Sequence, residues 1–582
     1  MCGFLCVVTR RPLREAVDVD RFNRDVLRHR GPDSSGELRF ENAYVRHWRL
    51  SIVDLAETSS QPYGDGDSWL IYNGEIYNYE AVASRLSLPV TGDTPLLYAL
   101  CKRGIDEREL EQARGFYSYL YLRDHGLALS GARDPFGKKP LFYHVDDAAG
   151  IAVFASEEKA IIDCLGAAPI DFAAVSQYLL YKQIFHGDTC FANIKQLAPG
   201  ARFRFDARSW TLSVDRDWAD YYRTPAAEIF SLPPGDYARG GPLEPTVYHE
   251  LRESLVLRVP HDVTACIALS GGVDSSLIAR LTVETASLQH ISQLVTVGFQ
   301  EPSTDESSRA AAIAAALSLT GKHSVVRFPQ NEMLSCLKRC VAQASSPLEH
   351  PHYLSYDVLC QYASGFAKVL ITGEGADELF MGYDHYLTPG KSFAFREYLL
   401  DEDERHFASD GPSPQPFDGI RRAAAIDTLR ARALSSRALS REYELKSHLL
   451  TLLARNDKMG MAHSVEIRAP FLDREMVRLS FALSDPELVV DGSVKHVLKT
   501  MFASRFPGIP AQDRKIGFRV PFDEMFLACR GRGDIRDYCE SAARALDKEC
   551  GLRLSALDAI SPRLGWSLLN IGIFLDTQGY AA

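Results

Sequence analysis

Cys2 directly follows Met1, so removal of Met1 would leave a thiol and an α-amine on one residue. A free α-amine has a pKa of about 8 and relays a thiol proton without a second side chain, which makes an N-terminal cysteine a self-sufficient nucleophile. A second cluster, Ser270-Gly-Gly-Val-Asp-Ser-Ser276, stands between a strand-like run ending in Leu269 and a helix-like run. Gly271 and Gly272 let the backbone turn tightly and present N–H groups, Ser270, Ser275 and Ser276 add hydroxyls, and the helix directs its positive end to the same point. That is a cradle for pyrophosphate. Asp274 would repel phosphate unless a cation intervenes, which implies Mg²⁺. No Gly-Lys-Ser/Thr follows, so the loop is not a Walker A loop. One chain with both clusters implies two chemistries, a thioester step and an ATP-consuming step.

Further residues supply what each chemistry needs. Asn73-Gly74 offers an amide side chain and a backbone N–H, the parts of an oxyanion hole. Arg49 can pair with a substrate carboxylate and Asp93 with an ammonium; carboxylate, ammonium and acyl group together describe glutamine. Cys6, four residues after the nucleophile, reads as core. In the ATP half, Val369-Leu-Ile-Thr-Gly-Glu-Gly-Ala-Asp-Glu-Leu-Phe380 is again a strand running into a glycine loop. Asp377 can share a metal with Asp274, Glu374 can act as acid or base, and Glu378 reads equally as a helix cap. Arg455-Asn-Asp-Lys-Met459 and Ser464–Asp473 concentrate charge among apolar residues and read as buried ion pairs. Lys495 is placed to stabilise charge on phosphorus, and Arg514 and Lys515 add cations.

These groups require two scaffolds. Residues 1 to about 205 read as short strands with Gly and Pro punctuation; Leu70–Tyr72 and Phe154–Ala155 are strand-like, Thr94–Lys102 and Phe172–Leu180 helical, and Gly200 marks a turn into one more strand. Residues 206–245 read as a linker punctuated by Pro225, Pro233, Pro234, Gly235, Gly240, Gly241 and Pro242. From 246 to 582, strands at Ala265–Leu269, Gln293–Phe299 and His323–Arg327 alternate with helices at Thr246–Arg258, Ser275–Ala286 and Glu306–Leu317, the pattern of βαβ units on a parallel sheet. Beyond about 385 the chain reads as mostly helical. At 582 residues and 46% hydrophobic content it fills at least two cores. With 65 basic and 76 acidic residues, net −11, it offers no footprint for nucleic acid, and no run is long enough to span a membrane. The 12 cysteines include no CxxC pair, so neither a zinc site nor a disulfide framework is expected, and a reducing cytoplasm is the simplest compartment. Cys101, Cys164, Cys266 and Cys360 read as small core residues.

The ordered set of motifs resembles the glutamine-hydrolysing asparagine synthetase family over nearly the full length: Met1-Cys-Gly, His29-Arg-Gly-Pro-Asp33, Asn73–Asn78, Ala132–Leu141, Ala155-Ser-Glu157, Ser270–Ser276, Gly373–Phe380, Met461 through Asp473, and Lys495. The resemblance implies an N-terminal-nucleophile glutaminase, an αββα sandwich of antiparallel sheets, joined to a parallel-sheet ATP-pyrophosphatase domain with a helical C-terminal part. It implies that Cys2 attacks glutamine, that Asn73 and Gly74 stabilise the oxyanion, and that Arg49, Ile52, Val53, Glu75 and Asp93 hold the amino-acid portion. Ammonia would pass through a tunnel to an acyl-adenylate formed from a carboxylic acid and ATP. Leu269, the Ser270–Ser276 loop including Val273, Val297, Thr372 and Gly373 would line the nucleotide pocket, with Mg²⁺ on Asp274 and Asp377. Relatives often form dimers, so a homodimer is expected.

Departures from the family pattern cluster in the ATP half. Thr372 replaces a usual Ser, Met381 a usual Gly, and Ser345-Ser-Pro-Leu-Glu-His350 an acidic run, while His261–Ala265 and Pro95 differ in structural positions. The acceptor is therefore open between aspartate and a specialised carboxylate. Two other readings are an intramolecular amide-forming cyclase of the β-lactam synthetase type, whose members typically lose the cysteine, and a catalytically silent homologue.

Overall fold

The computed structural model describes residues 2–56, 59–104, 112–230, 243–285, 287–387, 407–408, 436–511, 520–554, 557 and 560–580. Met1, Arg514, Lys515 and most of the Pro/Gly punctuation between 231 and 242 lie outside them.

The first strand, Cys2–Thr9, is apolar at nearly every position and buried along its whole length. Such a run has no solvent face and must be central. It pairs antiparallel with Ala43–Arg49 on one side and Ile151–Ala155 on the other, in a six-stranded sheet completed by Ser34–Arg39, Phe142–Asp146 and Lys195–Gln196. A second six-stranded sheet runs in the order Thr211–Val214, Arg202–Asp206, Ala128–Arg133, Gly115–Arg123, Ser68–Ile76, Tyr63–Gly64. The sheets pack face to face: Phe154 of the first stacks on Phe203 of the second, ring centroids 5.1 Å apart. Helices Glu158–Leu165 and Asp93–Arg103 cover the outer faces. This is the expected αββα sandwich.

The stretch read as a linker is structured through residue 230. Thr211–Val214 adds the edge strand of the second sheet, and short helices Trp218–Arg223 and Ala226–Ile229 follow. Tyr221 and Tyr222 are buried, and their carbonyls accept hydrogen bonds from Lys446 Nζ at 3.0 and 3.2 Å. Pro225 ends one helix and starts the next, so here punctuation marks short elements rather than an open chain.

The second half is built on a five-stranded parallel sheet in the order His323–Arg327, Ile291–Gly298, Ala265–Ala268, Val369–Ile371, Glu466–Arg468. The chain winds outward from Ala265–Ala268 in one direction and returns on its other side through Val369–Ile371. Those neighbours form the topological switch point, where loops at the carboxyl ends part and leave a crevice for a ligand. Helices dominate the C-terminal part; Pro562–Thr577 is buried almost all round and forms a core helix. Among the described residues no helix is long and apolar enough to cross a membrane.

Candidate active sites

Antiparallel pairing places Cys2 opposite Arg49 and Phe4 opposite His47, so all four side chains share the face directed at the second sheet. From that second sheet, Asn73 reaches back: its Oδ1 accepts the Cys2 backbone N–H at 3.1 Å. Asn73 is fully buried and its Nδ2 has no hydrogen-bond partner, an unspent donor beside the nucleophile. Gly74 is required by close approach, since a Cβ there would lie 2.2 Å from the Phe116 carbonyl oxygen. Arg30, wholly buried, donates through Nε to the Cys2 carbonyl at 3.0 Å. Burial pushes the Cys2 thiol up, but His47, the chain's N-terminal charge and the Leu50 N–H outweigh it and bring the value down to about 7. Cys6, on the same strand and face, has only burial acting on it and is pushed far up. Two identical side chains four residues apart thus differ in acidity, one thiol drawn down and the other pushed up.

The expected glutamine pocket is assembled with partners of its own. Asp93, in the first turn of its helix, accepts from Tyr72 Oη at 3.1 Å and Ile76 N at 3.2 Å, and burial raises its pKa. Glu75 is ion-paired with Arg468 of the parallel-sheet domain. Burial lifts its carboxyl to about 8, with Arg468 opposing and Glu466 and Asp93 adding to the rise. Arg49 donates to the carbonyls of Asp54 and Ala56, so its guanidinium holds the loop that carries the buried Ile52 and the half-buried Val53. Cys101, Cys266 and Cys360 are core residues as read; Cys164 is only partly buried.

At the switch point, Gly271 adopts φ 80°, a left-handed conformation open to glycine, and Ala310 N would lie 2.9 Å from any Cβ. Ser270 and Ser275 bind each other and the loop backbone, and Ser276 Oγ donates to the Gly272 carbonyl at 2.7 Å. Helix Val273–Glu284 starts here without a side-chain cap, leaving its first N–H groups directed at the crevice. Gly373 of the neighbouring loop packs so closely that a Cβ would meet Asp274 Cβ at 2.8 Å. Leu269 and Val297 are buried at the same strand ends, and the Thr372 hydroxyl is buried without a partner. Lys495 Nζ sits between Asp274 Oδ2 (2.6 Å) and Asp377 Oδ1 (2.7 Å). It holds φ 53°, an uncommon conformation for a non-glycine residue and one found at functional sites. The donor set of two carboxylates and loop hydroxyls, all hard oxygens, fits Mg²⁺. Glu374 is gripped by Arg455, by Tyr356 Oη at 3.1 Å and by Asn456 Nδ2 at 3.5 Å. Glu378 accepts from Tyr383 Oη and caps no helix. Met381 takes φ 52°, which accounts for glycine being usual there.

The charged stretch 455–473 does form buried ion pairs, and they cross between the two halves. Asp457 takes both guanidinium nitrogens of Arg30 at 2.8 and 3.1 Å. Arg468 joins Glu75 to Glu466, Lys458 meets Glu158 at 3.4 Å, and Asp473 joins Arg114 and Arg258. Arg468 also accepts the Thr372 N–H on its backbone oxygen at 2.9 Å, so one residue touches both sites. The sequence reading missed Arg30, His47, Tyr356 and Arg468 as site residues. His47 carried a signal, because it precedes Arg49 by two in a strand and must share its face.

Comparisons with known proteins agree with this geometry. The asparagine synthase family matches residues 246–564, and a glutamine amidotransferase domain matches residues 1–218. The chain is 28% identical to asparagine synthetase [glutamine-hydrolyzing] 1 of Bacillus subtilis, over 90% of this chain and 87% of that one. It is 27% identical to a putative asparagine synthetase [glutamine-hydrolyzing] of Mycobacterium tuberculosis, over 86% and 84%. It is also 28% identical to the amidase chyE of Penicillium rubens, over 67% of this chain and 57% of that one. With a thiol site and a nucleotide crevice in one polypeptide, the chain belongs to the asparagine synthase family and is a glutamine-dependent carbon–nitrogen ligase.

Proposed function

We propose that residues 1–205 hydrolyse glutamine at Cys2, that residues 246–582 activate a carboxylic acid with ATP, and that 206–245 join them. The observation that carries this reading is Arg468, whose guanidinium pairs with Glu75 and whose backbone carbonyl accepts the Thr372 N–H, building both sites into one body.

With Met1 removed, the Cys2 thiolate adds to the carboxamide carbon of glutamine. The oxyanion receives hydrogen bonds from Asn73 Nδ2 and the Gly74 N–H. Arg49, Ile52, Val53, Glu75 and Asp93 hold the amino-acid end; Arg49 does so by fixing the 52–56 loop. Ammonia leaves, and water hydrolyses the thioester. A cavity of about 110 Å³ between the halves, lined by Phe142 and Glu158 on one side and Ser346, Glu349 and Lys458 on the other, supports its passage as a tunnel segment. In the crevice, the Ser270–Ser276 loop, Thr372 and Gly373 cradle the phosphates. Mg²⁺ held by Asp274 and Asp377 would neutralise phosphate charge. An acceptor carboxylate attacks the α-phosphorus, pyrophosphate leaves with Lys495 stabilising the charge, and Glu374 takes a proton as ammonia displaces AMP.

The acceptor is aspartate or a specialised acid. Met381 takes a left-handed conformation and is buried in the core beside Gly382, whose own Cβ would meet Asp377 and Lys495, and the acceptor stays open between aspartate and another acid. The complete Cys2 site weighs against the cyclase and silent readings. We place the enzyme in a reducing cytoplasm, since all 12 cysteines are free, and expect a homodimer, which light scattering tests. The decisive experiment is ATP–pyrophosphate exchange across a panel of carboxylic acids. Exchange with aspartate makes the chain an asparagine synthetase; exchange with another acid alone names the acceptor; none with any acid overturns the ligase mechanism.

A further inference from the structure

His47 stands on the Ala43–Arg49 strand opposite Phe4 and diagonal to Cys2, wholly buried, on the face that points at the second sheet. Its Nε2 lies 3.2 Å from the carbonyl oxygen of Tyr72, the residue before Asn73. A carbonyl only accepts, so Nε2 carries the ring proton and Nδ1 of the neutral ring carries the lone pair. That Nδ1 is buried and has no hydrogen-bond partner. An acceptor left unsatisfied at this depth is costly, and such groups are kept where they have work to do. Diagonal neighbours on one sheet face are within reach of long side chains, and the register brings two thiols diagonally across from His47, Cys2 and Cys6. His47 acts by charge and hydrogen bonding on Cys2, whereas Cys6 is subject to burial alone.

We propose that His47 Nδ1 is a second base of the glutaminase site, taking the Cys2 thiol proton to give a thiolate–imidazolium pair and returning it to the departing ammonia. The inference rests on the glutaminase reading and deepens it: the N-terminal amine is not the sole proton acceptor. The proton balance closes within the site. Sγ loses H⁺ to Nδ1, the S–C bond forms as the C=O electrons move to oxygen, and the C–N bond breaks as Nδ1–H⁺ protonates the leaving nitrogen. The lowered thiol pKa agrees with this geometry, with His47 foremost among the groups that oppose burial.

Several charged groups face the pair. Arg49 lies on the same strand, Arg30 binds the Cys2 carbonyl, Tyr72 and Glu75 come from the second sheet, Asp93 from its helix, and Arg468 from the other domain. Burial lifts the Glu75 carboxyl to about 8, so the test must separate Glu75 from His47.

The experiment follows alkylation of Cys2 by iodoacetamide across pH, read by mass spectrometry of the N-terminal peptide, in the full-length mature enzyme. His47→Gln keeps a donor for the Tyr72 carbonyl and removes the base; His47→Asn is the companion variant. The expected result is an inflection shifted upward by about one pH unit or more in both, with glutamine-dependent ammonia release slowed by about 10²–10⁴-fold. Ammonia-dependent amide formation stays within about twofold, which reports an intact fold. An alkylation profile in both variants that coincides with the parent, or one that shifts in Glu75→Gln but not in His47→Gln, overturns the proposal. A parent enzyme that releases no ammonia from glutamine overturns the glutaminase reading instead.

Discussion

The two candidate sites solve opposite electrostatic problems on opposite kinds of sheet. Cys2 lies inside an antiparallel sandwich, where backbone pairing in both sheets fixes its neighbours and leaves Asn73 Nδ2 and His47 Nδ1 buried without hydrogen-bond partners. The nucleotide crevice opens at the carboxyl ends of parallel strands, where the carboxylates Asp274 and Asp377 are held together by Lys495 between them. In the first site burial leaves Asn73 Nδ2 and His47 Nδ1 without a partner, while the ion pairs of Arg30 and Glu75 lie around them. In the second, Lys495 neutralises two carboxylates that would otherwise repel each other. A site that must generate a nucleophile and one that must receive a polyanion thus differ in which groups stay unpaired.

The largest effect that would break this contrast is at the nucleophile. Cys2→Ala should abolish ammonia release from glutamine, a loss on the order of 10⁴-fold or more, and leave ammonia-dependent amide formation intact. Loss of both would show that the sites cannot be separated. Lys495→Met should lower ATP–pyrophosphate exchange by about 10²–10³-fold while sparing glutaminase turnover. Retained exchange in that variant would leave Lys495 a mere spacer between carboxylates. Arg30→Met takes from buried Asp457 its Arg30 ion pair, while Glu157 keeps Lys159 and His29, and should destabilise the protein by about 3–5 kcal/mol, read as a fall in Tm. An unchanged Tm would show that the interdomain pairs contribute little.

A smaller effect is the pH dependence of the thiol. Its folded pKa of about 7 lies below the ordinary value of 9.0, so thiolate gathers as pH rises through 7, and both iodoacetamide reactivity and glutaminase rate should climb there. The linkage sign follows: a depressed acid pKa contributes stability that is full above the unfolded value and is lost as pH falls through about 7. Alkylation rising only near 9 would show that the surroundings of Cys2 resemble those of an ordinary thiol.

Much of this was legible in the residues. Cys2, Asn73-Gly74 and the Ser270–Ser276 loop are local motifs whose chemistry depends on residue type and short spacing; the structure sets Asn73 against Cys2 and the loop at the switch point of the parallel sheet. The strand–loop–helix pattern around Leu269 gave the parallel sheet because βαβ periodicity is a local signal. What was illegible is pairing at long range. Nothing near Glu75 announces Arg468, and the ion pairs of 455–473 read as scaffold because their partners lie hundreds of residues away. The stretch 206–230 read as part of a linker, although its one proline, Pro225, starts a short helix. Glu378 was balanced between cap and function until its partner proved to be Tyr383.

The sequence by itself determined which atoms could react: one thiol behind Met1, one amide, one glycine loop, two acids and a lysine. Side-chain chemistry and backbone permissiveness are properties of residue type, and they survive any arrangement. Only the tertiary structure decided which of those atoms are spent and which remain. Cys6 has the same thiol as Cys2, yet burial alone acts on Cys6, while His47 and the N-terminal charge act on Cys2. That difference comes from desolvation and neighbouring charge, quantities set by what other segments of the chain bring within a few ångströms.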